Sequence, residues 1–459
     1  MVASCTPALA PLAQTKAVPA SFDKSTDTIN TVAIPWRTYF KDPNLVSLID
    51  AALKNNQELQ ITLQEIEIAK NEIRVRKGAF LPKVGVGVGG GIEKVGRYTS
   101  QGAGDASTQI MPGKEMPDPL GDLKIAAYAN WEVDIWKKLR NSKKAAVSRY
   151  LATVEGKNFV LTNLISEIAT SYYELLALDS QLEIVKQNIS LQSNALEIVK
   201  IQKEAARATE LAVQKFEAEV MASKSMEFDI LQNIKETENK INFLLGQYPQ
   251  EIKREKTNFM RLLPTMVQAG IPSQLLANRP DIKQAELELT AAKLDVKTAR
   301  AEFYPSLNIS ASIGVNAFKP SYLFTMPESL LYSLAGDLVA PLLNRNALKA
   351  EYSSANARQI QALYNYERTI LNAYLEVSSQ MSKISNLEKR YDLRSKQVAA
   401  LNRSIDVAGD LFKSARADYF EVLMTQRDAL ESNLELIETK KEQLNAAVMV
   451  YKSLGGGWR

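Results

Sequence analysis

Two long stretches of this chain contain neither glycine nor proline, from Lys157 to Leu245 and from Leu342 to Ala408. In and beside each stretch, an apolar or aromatic residue returns every seven positions. The two series are Val147, Val154, Leu161, Ile168, Leu175, Leu182, Ile189, Leu196 and Leu363, Ile370, Val377, Ile384, Tyr391, Val398, Ile405, Phe412. Because a strict seven-residue repeat keeps one seam of a helix against a partner helix, both stretches are predicted to be long coiled-coil helices with left-handed supercoiling.

The companion seam of the first helix is less regular. Leu151, Ile165 and Tyr172 continue it as apolar or aromatic residues, but Asp179 and Lys186 interrupt it. One apolar seam beside a mixed seam indicates helices that form a curved wall with one solvent-facing side, and it argues against a bundle with a dry centre. An elongated soluble coiled coil is the alternative interpretation of the helices alone.

An internal repeat relates the two halves of the chain. At an offset of 223 residues, Leu81-Pro82 aligns with Tyr304-Pro305; at an offset of 209, Ala206-Arg207-Ala208 aligns with Ala415-Arg416-Ala417. Each half is therefore predicted to run helix, strand, loop, strand, long helix, turn and helix.

Period-two alternation marks the strands. Valine alternates with glycine over residues 84–88, and looser alternation follows at 123–135. The second half repeats this at 307–315 and about 328–340, with connecting loops expected at about 99–122 and 319–327. The chain thus offers four strands in two hairpins.

Four strands cannot close a barrel, since membrane-spanning barrels begin at about eight strands. Unpaired strand edges in lipid leave backbone groups unsatisfied at several kcal/mol each. The chain has no run of 18 apolar residues that predicts a membrane-spanning helix. If the strands span a membrane, several copies must share one barrel, and three copies would supply twelve strands. The alternative is a small soluble sheet packed on the helices.

The composition argues against catalysis and nucleic-acid binding. The chain has no histidine and a single cysteine, so the usual general base and the usual zinc ligands are lacking. We find no catalytic or phosphate-binding motif and expect no enzyme activity, cofactor or metal. With 56 Lys+Arg against 52 Asp+Glu and no basic block, no nucleic-acid partner is expected.

The single cysteine, Cys5, follows Met1-Val2-Ala3-Ser4. An aliphatic residue and small residues before a cysteine resemble the end of a bacterial lipoprotein signal, which predicts lipid attachment, such as palmitate, at Cys5. The alternative is an incidental cysteine in a flexible tail.

Several motifs together resemble the TolC-like outer-membrane factor family, in the lipoprotein branch that serves tripartite efflux pumps. The resemblance runs from about Trp36 to Trp458. The motifs that carry it are Trp36-Arg37-Thr38-Tyr39-Phe40, Trp131-Glu132-Val133-Asp134-Ile135-Trp136, Asn278-Arg279-Pro280-Asp281 and Tyr451-Lys452-Ser453-Leu454-Gly455-Gly456-Gly457-Trp458.

This resemblance implies a fold that is mainly α with membrane β: a homotrimer with a long-helix coiled-coil α-barrel and a shared 12-stranded transmembrane β-barrel. It implies a passive exit duct for drugs or other toxic small solutes in the outer membrane of a Gram-negative bacterium. The implied partners are outer-membrane lipid, a periplasmic adaptor (membrane fusion) protein and an inner-membrane RND-type transporter. A duct for type I protein secretion and a soluble trimeric coiled-coil scaffold are the alternatives.

The repeat and the resemblance divide the chain into five segments. A lipidated leader with an equatorial segment is expected at 1–42, an equatorial linker at 248–270 and an equatorial tail at 455–459. Repeat 1 covers 43–247, with its hairpin at 82–135 and its tip turn at 205–209. Repeat 2 covers 271–454, with its hairpin at 305–341 and its tip turn at 414–418.

The resemblance also assigns roles at the periplasmic tip. Ala206 and Ala415 stand where family members often have glycine, which leaves the geometry of both turns open. Glu421 matches the first of two acidic positions that narrow the pore, and Met424 occupies the second. Three copies of Glu421 would form a cation-attracting constriction with an apolar collar of Met424, unless Glu421 is simply a solvated surface carboxylate. Together with the two alanines, adaptor contact is expected at Arg207, Arg416 and Asp418.

Overall fold

The structure is a computed structural model, and it describes residues 18–22, 34–256, 259–264, 268–342, 345–414 and 416–458. The helices in these ranges are α1 (Trp36–Tyr39), α2 (Pro43–Asn55), α3 (Gln57–Gly78), α4 (Ser100–Ser107), α5 (Lys138–Glu204), α6 (Glu210–Leu244), α7 (Ser273–Asn278), α8 (Pro280–Ala301), α9 (Asn346–Lys413) and α10 (Tyr419–Ser453). The strands are β1 (Lys83–Glu93), β2 (Gln109–Met111), β3 (Lys114–Glu115), β4 (Leu120–Val133), β5 (Ser306–Ala317) and β6 (Leu330–Val339).

The chain folds into two compact units. The sheet unit is formed by 67–151 and 287–364, and the helical unit by the described parts of 15–66, 152–286 and 365–459. Each unit therefore takes segments from both halves of the internal repeat. The five predicted segments divide the sequence by its repeat, and that division stays a prediction.

The sheet unit contains a four-stranded antiparallel sheet in the order β1-β4-β5-β6. Both predicted hairpins are present, since β1 pairs with β4 and β5 pairs with β6. The two hairpins also join, because β4 pairs with β5 from Leu123 opposite Ala317 to Val133 opposite Leu307. All four strands thus meet the long helices at one end of the sheet, and the connections 94–119 and 318–329 lie at the other.

The two faces of the sheet differ in chemistry. One row across it joins Val86, Ala127, Ile313 and Tyr332. Three of these side chains are strongly exposed: Val86 at 76%, Ile313 at 61% and Tyr332 at 76%. Because neighbouring residues of a strand point to opposite faces, the residues next to this row lie on the other face. That face carries polar side chains, including Lys83, Tyr128, Asn130, Asn308, Ser310, Ser312, Ser333 and Asp337. The unit therefore exposes apolar side chains on one face, although Val315 of the same face is buried.

The connection expected as a loop at 99–122 has structure of its own. It contains α4 and the short pair of strands β2 and β3. Helix α4 begins there because the Thr99 hydroxyl accepts a hydrogen bond from the Gly102 amide at 3.1 Å, a normal N-cap. Glycine and proline content alone does not predict such a short capped helix.

The seven-residue seams of α5 and α9 are confirmed as packing positions. None of the sixteen residues of the two series is exposed. Around Tyr172, which is fully buried, the helical unit forms its largest core with Tyr39, Leu45, Ile241 and Tyr451. The α5 seam therefore packs against helices of the same chain, with α2, α6 and α10 as partners, and the α9 seam packs against α7, α8 and α10.

The internal repeat is reproduced at two helix ends of the helical unit. After α6, Gly246 adopts φ +67°, and a Cβ there would lie 2.6 Å from the carbonyl oxygen of Asn55. After α10, Gly455 adopts φ +93°, and a Cβ there would lie 2.6 Å from the carbonyl oxygen of Asn278. Both positions require glycine, for the backbone angle and for the close approach.

None of the helices in the described ranges combines the length and the apolar character that crossing a membrane would require.

Candidate functional site

The first tip turn lies where it was predicted, at 205–209 between α5 and α6. The Ala206 amide donates to the Lys203 carbonyl at 2.9 Å, and the Arg207 amide to the Gln202 carbonyl at 2.7 Å. This pair of bonds is a Schellman motif, which places one residue in the left-handed region. That residue is Ala206, with φ +54°. The glycine-type turn therefore forms with alanine, at a cost of roughly 1–2 kcal/mol.

The second tip turn, at 414–418 between α9 and α10, repeats part of this pattern. The Arg416 amide donates to the Leu411 carbonyl at 2.8 Å, which spans the same number of residues as the Arg207 bond. Ala415 lies outside the described residues. Asp418 is the N-cap residue of α10 by position, although its side chain makes no capping bond. Thr209, its counterpart at α6, accepts a capping bond from the Ala212 amide.

An apolar cluster holds the two tip hairpins of the helical unit together. Phe216 of α6 is fully buried within it, and the ends of α5, α9 and α10 contribute further side chains. Its other buried members are Leu196, Val199, Ala212, Val213, Val220, Val422 and Leu423. The turns are therefore carried on a packed base and are positioned by it.

The two predicted gate residues lie one turn apart on the first part of α10. Glu421 is exposed in the first turn, and its amide donates to the Asp418 carbonyl at 3.1 Å. Met424 is half-buried. Among the described residues, Glu421 makes no ion pair, and it lines a shallow groove between α9 and α10 that Arg403 and Leu411 also line. Because residues three apart share a helix face, a carboxylate and a thioether lie next to each other there.

The charged groups at the tips differ in how they are held. Lys203 and Glu210 form an ion pair across the first turn. The hydrogen bond from Lys203, with a second from Gln214, holds the pKa of Glu210 below its ordinary value. Arg207 and Arg416 are exposed, and no ion-pair partner for either occurs in the part of the chain that the structure describes. Both guanidinium groups therefore point into solvent in the single chain.

The motif Asn278-Arg279-Pro280-Asp281 has a structural explanation. Arg279 is buried and joins three elements: it donates to Asp281 at 2.7 Å, to Glu376 of α9 at 2.7 Å and to the Ser453 carbonyl of α10 at 2.8 Å. A buried guanidinium needs such a full set of acceptors. The motif therefore fixes the start of α8 against the end of α10.

Sequence reasoning missed a second buried network. Arg254 donates to Asp179 at 3.0 Å and to Glu238 at 2.7 Å, and both carboxylates are buried. Burial by itself lowers the pKa of Arg254, but the hydrogen bonds to the two carboxylates outweigh it, so that the pKa is raised. Asp179 was visible in the sequence only as an interruption of the second seam. Its partner lies 75 residues away and carries no local signal.

With this geometry established, comparison with known proteins identifies the class. The family model described as "Outer membrane efflux protein" matches residues 48–247 and 271–456. These two matches cover most of the chain and correspond to the two repeats. The chain therefore belongs to the outer membrane efflux protein family.

Individual relatives agree with this assignment. The pyoverdine export outer membrane protein OpmQ of Pseudomonas aeruginosa is 28% identical over 425 residues, covering 92% of this chain and 87% of that protein. The toluene efflux pump outer membrane protein TtgI of Pseudomonas putida is 27% identical over 432 residues, covering 92% and 87%. A crystal structure of CusC shares the fold, with a TM-score of 0.85 at 24% identity over 98% of this chain and all of that one.

The predicted family and the predicted function, an outer-membrane efflux duct, are thus confirmed. The relatives are transport proteins, as expected for a chain without catalytic motifs. Cys5 lies outside the described residues, and the roles assigned to Glu421, Met424 and the tip residues stay predictions.

Proposed function

We propose that three copies of this chain form the exit duct of a tripartite efflux pump, with twelve strands in one shared transmembrane barrel. The observation that carries the proposal is the two-faced sheet. Its apolar face exposes Val86, Ile313 and Tyr332 at 61% or more, while the other face carries hydroxyl, amide and charged groups. Contact with lipid on the first face and with water on the second accounts for the chemistry of both faces.

The free edges of the sheet require further copies. Strands β1 and β6 each pair on one side only within the described residues. In lipid, each unpaired amide or carbonyl costs several kcal/mol, so both edges must be paired. Pairing β6 of one copy with β1 of the next satisfies both edges, and continuing around closes a ring. The lengths of 11, 14, 12 and 10 residues suit tilted strands that cross a membrane.

The tips supply the gate of this duct. Glu421 is exposed and unpaired in the single chain, as a carboxylate that faces a pore would be. Three such carboxylates brought together by a threefold axis repel one another and attract cations, and Met424 adds an apolar collar one turn further on. The surface at Ala206, Arg207, Ala415, Arg416 and Asp418 meets the periplasmic adaptor, which links the duct to an inner-membrane RND-type transporter.

The cargo is a small solute, of the drug or toxic-compound class. The names of the relatives give pyoverdine for OpmQ and toluene for TtgI, so relatives of this chain serve different cargoes. Selection therefore belongs to the pump, and this subunit supplies a path. A lipid on Cys5 adds a membrane anchor. In a chain expressed behind a lipoprotein signal, replacing Cys5 with Ser removes that lipid, and an unchanged lipid mass in the purified protein would refute the assignment.

Reconstitution tests the proposal. The full chain is purified in detergent, its mass in solution is measured, and it is added to planar bilayers. We expect a trimer that inserts and conducts ions. A chain that stays monomeric and soluble without detergent, and that leaves the bilayer resistance unchanged, would overturn the proposal.

A further inference from the structure

The two ends of the sheet differ in charge. At the end where the strands meet the helices, the segments 76–83, 130–144, 300–308 and 337–349 contain eleven Lys and Arg residues against four Asp and Glu residues. At the other end, the segments 93–122 and 316–331 contain four Lys and Arg residues against six Asp and Glu residues. The helix end is therefore basic and the loop end acidic.

Six of the seven excess positive charges come in equal parts from the segments 76–83 and 130–144. The segment 130–144 joins β4 to α5. It contains five cationic residues and two acidic ones. Both acids are already occupied, because Glu132 pairs with Lys138 and Asp134 pairs with Arg140 at 3.0 Å. The remaining cations are Lys137, Lys143 and Lys144, and no ion pair of theirs occurs among the described residues.

One of these lysines, Lys143, lies near the apolar face of the sheet. Trp131 belongs to that face, opposite Ile309 in the register, and its indole N–H donates to the Phe80 carbonyl at 2.9 Å. The Lys143 ammonium in turn lies 6.0 Å from the centroid of the Phe80 ring. Lys143 is half-buried and Lys144 is exposed. The Lys143 ammonium thus lies at the helix end of the face assigned to lipid.

Aromatic residues continue along the same end. Trp136 is 45% exposed, stacks on Tyr304 with ring centroids 4.7 Å apart, and donates its indole N–H to the Pro305 carbonyl at 2.7 Å. Tryptophan and tyrosine rings with one apolar and one polar side are typical of the level of lipid headgroups. Clustered lysines at that level attract anionic headgroups.

We propose that Lys143 and Lys144, with Trp131 and Phe80, form a binding site for the phosphate of an anionic phospholipid. The acyl chains of this lipid lie along the apolar face that runs from Trp131 through Ala129 and Val84. The inference rests on the proposed function, because it requires that the sheet spans a membrane. The acidic loop end offers no equivalent site, so the lipid belongs to the leaflet on the helix side.

The test compares two double variants that remove equal charge. Lys143→Gln with Lys144→Gln changes the site, while Lys94→Gln with Lys319→Gln removes two exposed lysines from the loop end. Each protein is reconstituted into an equimolar bilayer of phosphatidylglycerol and phosphatidylcholine, and the lipids that remain bound are counted by native mass spectrometry. Ion conductance is recorded for the same preparations.

We expect the wild type and the loop-end variant to retain phosphatidylglycerol over phosphatidylcholine. The Lys143/Lys144 variant loses this preference by about 5-fold for each lysine, or about 25-fold in all. Equal retention by both variants, or no preference in the wild type, overturns the inference. Displacement of the lipid by dissolved glycerol phosphate also overturns it, because the site would then bind soluble phosphate.

Conductance separates this inference from the proposed function. A wild type that conducts but binds both lipids equally refutes only the lipid site. A wild type that neither inserts nor conducts refutes the exit duct itself. Conductance in both double variants shows that the loss of lipid is not a loss of fold.

Discussion

Replacing Ala206 with glycine should stabilise the first tip turn. Ala206 holds φ +54° as the left-handed residue of a Schellman motif, while the left-handed positions after α6 and α10 are occupied by Gly246 and Gly455. The left-handed conformation costs an alanine roughly 1–2 kcal/mol. Glycine removes this strain but gains about 0.4–1 kcal/mol of freedom in the unfolded turn. The net gain is therefore about 0.5–1 kcal/mol in the free energy of local opening.

Hydrogen exchange measures this local free energy without unfolding the whole protein. In the Ala206→Gly variant, the amides of residues 205–207, which donate hydrogen bonds at this turn, should exchange about 2- to 5-fold more slowly. Ala205→Gly is the matched control, because Ala205 lacks a positive φ and gains nothing from glycine. Its amides should exchange faster. Unchanged or faster exchange in Ala206→Gly would contradict the strain assigned to this turn.

Three further predictions concern the gate, the lipid face and the buried network. Glu421→Gln should weaken cation preference in planar bilayers, and an unchanged preference removes Glu421 from the gate. Ile313→Lys should cost about 2–4 kcal/mol in a bilayer and reduce trimer yield, whereas Ser312→Lys on the polar face should be tolerated; equal yields would contradict the face assignment. Arg279→Ala should destabilise the protein by about 3–5 kcal/mol, because it leaves buried acceptors unpaired. Arg37→Ala, which breaks an exposed ion pair, should cost about 1 kcal/mol or less. An equal decrease in Tm for both variants in thermal melting would refute this difference.

Local patterns predicted the elements well. The seven-residue series places α5 and α9, and the valine–glycine alternation at 84–88 falls within β1. The turn at 205–209 is found between α5 and α6 as expected. These features can be predicted because helix and strand periods are only a few residues long, so that each period repeats several times within a short segment.

Local patterns failed where one short feature decided the structure. The helix α4 depends on a single N-cap at Thr99, and the turn at Ala206 on a backbone angle that alanine rarely adopts. The candidate gate could be predicted only in part. Glu421 was found by resemblance and is exposed in the structure. In the proposed trimer its neighbours across the threefold axis belong to other copies.

The sequence alone determined that this chain would consist of long helices with one hairpin in each half, because those patterns are periodic and local. Only the tertiary structure decided which distant groups meet. Arg279 reaches Glu376 across 97 positions and the Ser453 carbonyl across 174, and β4 pairs with β5 to merge two hairpins into one sheet. Such pairings depend on where packing brings each segment. The local sequence around a charged residue or a strand edge does not specify its partner, which is determined only when the chain has folded.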